Sequence, residues 1–104
     1  MHTLTLEISP QHAAFDGHFP GMPLVPGVVL LDEAVQMIAA AANKDDCPCE
    51  IMSAKFVSFV RPGESLSVEH EQRADGSVGF VIRTPDRTVA SGTLAWLPDQ
   101  EHPA

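Results

Sequence analysis

Residues 27–43 read GVVLLDEAVQMIAAAAN. No Pro or Gly follows the first position, and Ala, Leu and Met are frequent, so the stretch predicts a helix. Pro26 suits a first-turn position, where its missing N–H costs nothing. Only Asp32, Glu33 and Gln36 interrupt the apolar surface. A helix apolar nearly all round is usually buried on most faces. The remaining chain must therefore wrap it, and that requirement decides the fold.

The wrapper is legible on both sides. Residues 3–8, TLTLEI, alternate polar and apolar and predict a strand. Residues 9–26 are rich in proline and glycine and predict an irregular loop. After the helix come EIMSAKFVSFV (50–60), SLSVEHEQR (65–73), SVGFVIRT (77–84) and TVASGTLAWL (88–97). The turn signals RPGE, ADG and PDR separate them, so four strands in an antiparallel meander are expected. The sum is an α+β fold, a twisted sheet of about five strands around one long helix. Residues 1–97 are expected to form a single domain, and 98–104, PDQEHPA, a frayed polar tail.

A chain of 104 residues holds one domain rather than two. So small a domain gains from a further apolar interface, which predicts a homo-oligomer. The formal charge of −8 argues against nucleic acid and anionic membranes as partners. No apolar run is long enough to span a bilayer, and MHTLTLEISPQ is not a secretory signal. A cytoplasmic protein is expected. Cys47 and Cys49 form CPC in a polar connector, with no further metal ligands nearby in sequence. Two reduced loop thiols, and no metal, are expected.

Three residues suggest chemistry. His18 lies in GHFP, where Gly17 and Pro20 can hold an imidazole in place. A structural or solvent-facing histidine is the plainer alternative. Asp32 interrupts an apolar helix, so it must reach solvent or line a cavity. Gln36 is four residues on and shares its face, where it can orient the carboxyl group. A carboxylate favouring the positive helix end is the alternative. Gly27 at the helix start offers a backbone N–H with no intrahelical partner, suited to polarising a carbonyl oxygen. It also simply permits a tight turn. Together the three suit acid–base elimination of water from a carbonyl compound.

The segment GHFPGMPLVPGVVLLDEAVQ (17–36) resembles the active-site segment of bacterial 3-hydroxyacyl-[acyl-carrier-protein] dehydratases, the FabA/FabZ class. The pattern is matched at His18, Phe19, Pro20, Pro23, Pro26, Gly27, Asp32 and Gln36 without a gap. AKFVSFVRPGESL (54–66) is similar to a later strand and turn of that family. The resemblance implies a hot-dog fold, and a homodimer or higher oligomer with sites at the subunit interface. It implies His18 as base, Asp32 as acid, Gly27 N–H as the donor to the thioester carbonyl, and Gln36 as the orienter of Asp32. Phe19 and Gly27 would stand with Gln36 against the substrate. That substrate would be a (3R)-3-hydroxyacyl thioester on acyl carrier protein or coenzyme A, and the product a trans-2-enoyl thioester. No metal or organic cofactor is implied beyond the phosphopantetheine carried by the substrate.

Some positions depart from the family pattern. The acid is Asp32, as in the FabA type, where the FabZ type has Glu. Glu33 and Val35 replace other residues beside it, so the acyl tunnel is expected to differ in shape. The chain begins near the first strand, like short members that serve specialised pathways such as aryl polyene synthesis. Lys55, Arg61, Arg73, Arg83 and Arg87 are the basic residues available to an acidic carrier protein. A hot-dog acyl thioesterase and a non-catalytic acyl-binding subunit are the competing readings.

Overall fold

The computed structural model describes residues 2–7, 27–45, 47–61 and 63–97. Its elements are β1 (His2–Glu7), α1 (Gly27–Ala41), β2 (Cys49–Phe56), β3 (Ser65–Gln72), β4 (Val78–Arg83) and β5 (Thr88–Trp96). The helix stops where Asn43 turns left-handed, at φ 57°. Asn43 N–H then donates to Ala40 O at 3.2 Å and Lys44 N–H to Ala39 O at 2.7 Å. Those bonds satisfy carbonyls that the last turn would otherwise leave bare. The proposed tail at 98–104 lies outside the described residues.

The strands form one antiparallel sheet in the order β1-β3-β4-β5-β2. Here the meander expectation needs correcting. Only β3, β4 and β5 follow one another in space; β2 lies beyond β5, at an edge. The connector from β2 to β3 must therefore cross the end of the sheet. Arg87 holds it there. Its Nε donates to Ser58 Oγ at 2.8 Å and its Nη2 to Phe59 O at 2.7 Å. Both terminal nitrogens also donate to the Glu64 carboxylate, each at 3.0 Å. A planar guanidinium meets a carboxylate in this two-bond way with good geometry.

Alternation along each strand fills the face that meets the helix. Leu4, Val68, Ile82, Ala90 and Phe56 stand in one cross-strand row. His2, His70, Phe80, Gly92 and Ala54 make the next. Gly92 is required by its neighbours, because a Cβ there would run into the Ser53 backbone carbonyl of β2 and lie 2.6 Å from the tip of the Phe80 ring. The strand β2 joins these rows only through an irregularity between Ile51 and Ser53. That bulge shifts the alternation, so Cys49, Ile51, Ala54 and Phe56 share one face.

The helix sets Leu30, Ala34 and Ile38 into this core, together with Val68, Ile82 and Leu94. Its other side stays open. Val28 is 75 % exposed, and Asp32, Gln36 and Ala40 are exposed in the same stripe. The expectation of burial on most faces thus fails within one chain: a sheet covers one side of a helix, and here the second side is left for other contacts. Five antiparallel strands curled against one long helix are the hot-dog, α+β architecture.

Candidate functional site

Two of the sequence-predicted residues, Asp32 and Gln36, lie on the open side of α1. Asp32 and Gln36 are one turn apart, so their side chains are neighbours. Gln36 Nε2 donates to Asp32 Oδ2 at 2.8 Å. The bond engages one oxygen of the exposed carboxyl group. Gly27 begins the helix, as expected, with its N–H among those lacking an intrahelical acceptor. His18 and Phe19 lie outside the described residues.

Gly27 has a second role that its sequence context did not disclose. A Cβ built on it would lie 3.2 Å from two carbons of the Phe56 ring. The ring of β2 thus rests against the first residue of α1, and any larger side chain there would have to displace it by a few tenths of an ångström. Phe56 is half-exposed and belongs to the helix-facing row of the sheet. Sequence reasoning quoted the segment that contains it but did not single it out. The signal that finds it is its register opposite Ala90.

Beyond Gln36 the same helix face borders a cavity of about 510 Å³, closed on the sheet side by Cys49 and Trp96. Both cysteines are free thiols. Burial, and then the neighbouring Cys47, raise the Cys49 thiol above the ordinary range. Asp45 and Cys47 line the same cavity, so its wall is not wholly apolar.

The basic residues are less available than the sequence suggested. Arg87 is engaged by Glu64, Ser58 and Phe59. Arg83 pairs with Glu69 at 3.3 Å, and Arg73 donates to Thr93 Oγ1 at 3.0 Å. Lys55 and Arg61 are exposed. Among the described residues, no helix is long and apolar enough to cross a membrane.

Known proteins share this sequence pattern and fold. The profile of the ApeI-like family, described as ApeI dehydratase, matches residues 1–93. The 3-hydroxyacyl-[acyl-carrier-protein] dehydratase FabZ of Ligilactobacillus salivarius is 38 % identical over 82 residues. That match covers 69 % of this chain and 59 % of the relative's length, so the chain spans about three fifths of it. Among solved structures, the dehydratase heterocomplex ApeI:P from Xenorhabdus doucetiae is similar with a TM-score of 0.76 at 25 % identity. The match covers 90 % of this chain and 84 % of that one. A probable thioesterase from Bartonella henselae shares the fold alone, with a TM-score of 0.66 at 12 % identity over 99 % of this chain and 95 % of that one. The profile match over residues 1–93, nearly the whole chain, makes it a member of the ApeI-like dehydratase family.

Proposed function

We propose that this protein removes water from a (3R)-3-hydroxyacyl thioester to give the trans-2-enoyl thioester. The Asp32–Gln36 hydrogen bond on the uncovered helix face carries the reading. In this scheme His18 takes a proton from the carbon beside the thioester carbonyl. Asp32 gives a proton from Oδ1 to the 3-hydroxyl, which leaves as water. The Gly27 N–H, with the helix dipole behind it, steadies charge on the carbonyl oxygen. Gln36 keeps the carboxyl group turned toward the substrate, and Phe19 and Phe56 give it apolar walls. Each turnover leaves His18 protonated and Asp32 ionised, and exchange of one proton with solvent at each resets the pair, without a cofactor.

The carrier is an acyl carrier protein or coenzyme A, held through phosphopantetheine, and the setting is the cytoplasm. The exposed Lys55 and Arg61 suit an acidic carrier. Rising salt should weaken carrier affinity; a flat response would dismiss docking by charge.

A second copy of the chain is the partner we propose for the open face. The strand β2 is an edge, and Met52, Phe56, Val57 and Phe59 beside it are large apolar side chains left exposed. An unpaired edge with such neighbours is a template for another strand. Mass measurement in solution should give a homodimer, and Met52→Lys should shift it toward monomer. A mass that corresponds to one chain at micromolar concentration would remove this part of the proposal.

The reaction is tested with a 3-hydroxyacyl thioester followed by the ultraviolet absorbance of the conjugated product. Loss of activity in both His18→Ala and Asp32→Asn, with the fold intact, is the expected result. Release of free thiol without enoyl product would instead indicate a thioesterase.

A further inference from the structure

Cys47 and Cys49 flank Pro48 and take no part in the dehydration scheme. Both are free thiols, half-buried. Both line the cavity of about 510 Å³ beyond Gln36, together with Asp45 and Trp96. The backbone that carries them is anchored on each side. Cys47 N–H donates to Lys44 O at 2.9 Å, and Leu97 N–H donates to Pro48 O at 2.8 Å. Cys49 lies opposite Trp96 in the pairing of β2 with β5, and Pro48 between the thiols has a locked φ. The Cys47 thiol itself makes only long contacts, 3.5 Å to Leu97 O and 3.6 Å to Pro48 O. Two weakly engaged sulfurs thus share one wall of a cavity on a held backbone.

What such a pair can hold follows from ligand number and softness. Structural zinc takes four ligands. Among the described residues, no group of three or more His, Cys, Asp or Glu is placed to hold a metal. The sequence expectation of no metal rested on the same lack, which matters only for ions that need the further ligands. A soft monovalent d¹⁰ ion is satisfied by two thiolates, and thiolate is the ligand that selects copper(I). A disulfide is the competing use of two thiols, but it needs the sulfurs about 2.0 Å apart. A bridging ion accepts a wider separation.

We propose that Cys47 and Cys49 together bind one copper(I) ion on the cavity wall beside Trp96. Binding involves no oxidation: each thiol releases its proton to solvent, and each sulfur gives a lone pair to the ion. The Asp45 carboxylate on the same cavity attracts the cation. Burial, and then Cys47, keep the proton on Cys49 at neutral pH, so affinity rises with pH as that proton becomes easier to displace. The site is independent of the dehydratase reading and stands or falls separately from it.

The test uses the whole chain, reduced with a phosphine and kept free of oxygen. Copper(I) is delivered from a competing chelator, with silver(I) as a probe that does not change oxidation state. One equivalent per chain should bind. Trp96 is the chain's one tryptophan, so its fluorescence should fall in step and level off at that equivalent. Cys47→Ser and Cys49→Ser should each cost more than about 100-fold in affinity, the upper range for removing merely a supporting group. Cys47 lies outside β2, so its variant keeps the test open if Cys49→Ser fails to fold by circular dichroism. Three results overturn the proposal: wild-type affinity in Cys47→Ser, which would mean a lone thiol; fluorescence that copper(I) does not move; and zinc held as tightly as copper(I), which would mean a larger ligand set.

Discussion

Gln36 donates a hydrogen bond to Asp32 across one turn of α1, at 2.8 Å, on a face that no strand among the described residues covers. An exposed amide–carboxyl pair of this kind contributes only a few tenths of a kcal/mol to a helix. Its presence in an otherwise apolar stripe is explained better by orientation of the carboxyl group than by stability.

Asp32→Asn should therefore cost about 10²–10⁴ in turnover, the usual worth of a general acid. Gln36→Leu should cost less, about tenfold, because the carboxyl group persists but loses its fixed rotamer. Steady-state kinetics check both, with circular dichroism to confirm the fold. Equal losses for the two variants would contradict the division of roles.

Gly27→Ala separates stability from function. Alanine normally favours a helix over glycine by roughly 0.5–1 kcal/mol. Here its methyl group would press on the Phe56 ring. That ring is half-exposed and can yield, so the melting temperature should hold or rise slightly while activity falls. Adding Phe56→Leu should restore part of the activity. A large drop in melting temperature for the single variant would show that the ring cannot move.

His70 makes stability depend on pH. It is buried, its Nε2 has no hydrogen-bond partner among the described residues, and the His2 ring stands 5.3 Å away, centroid to centroid. Burial first, then the nearby positive charge, pushes its pKa below the ordinary imidazole value. Unfolding restores a value of about 6.5, so below that pH the unfolded chain binds more protons than the folded one. Stability from this residue is present above the unfolded pKa and is lost as pH falls through the lower folded value. Thermal melts should show a falling midpoint from pH 7.5 to 5.5, less steep in His70→Leu. An unchanged slope in that variant would assign the effect elsewhere.

Arg87→Lys should lower the melting temperature by several degrees. A single ammonium cannot replace donations to Ser58, Phe59 and both oxygens of Glu64. The same contact holds the Glu64 carboxyl below its ordinary range, chiefly through the Arg87 hydrogen bonds. The stabilising effect is present above the ordinary glutamate pKa and fades as pH drops below it. Wild type and Arg87→Lys should converge in midpoint at acidic pH.

The sequence by itself determined the elements. Alternation placed β1, β3, β4 and β5 within a residue or two of their observed bounds, and helix propensity did the same for α1. The Asp32–Gln36 pair was also legible, because a spacing of four is a contact on any helix. These are local properties, set by neighbours along the chain. Tertiary structure alone decided that β2 sits beyond β5, since no local pattern records that Arg87 bolts a connector lying 23 to 29 residues away. It alone brought Phe56 against Gly27 and Trp96 to the far wall of the cavity. It also showed that the helix's apolar second face is open rather than buried: composition tells how much surface avoids water, while only the packing tells which part has found a partner.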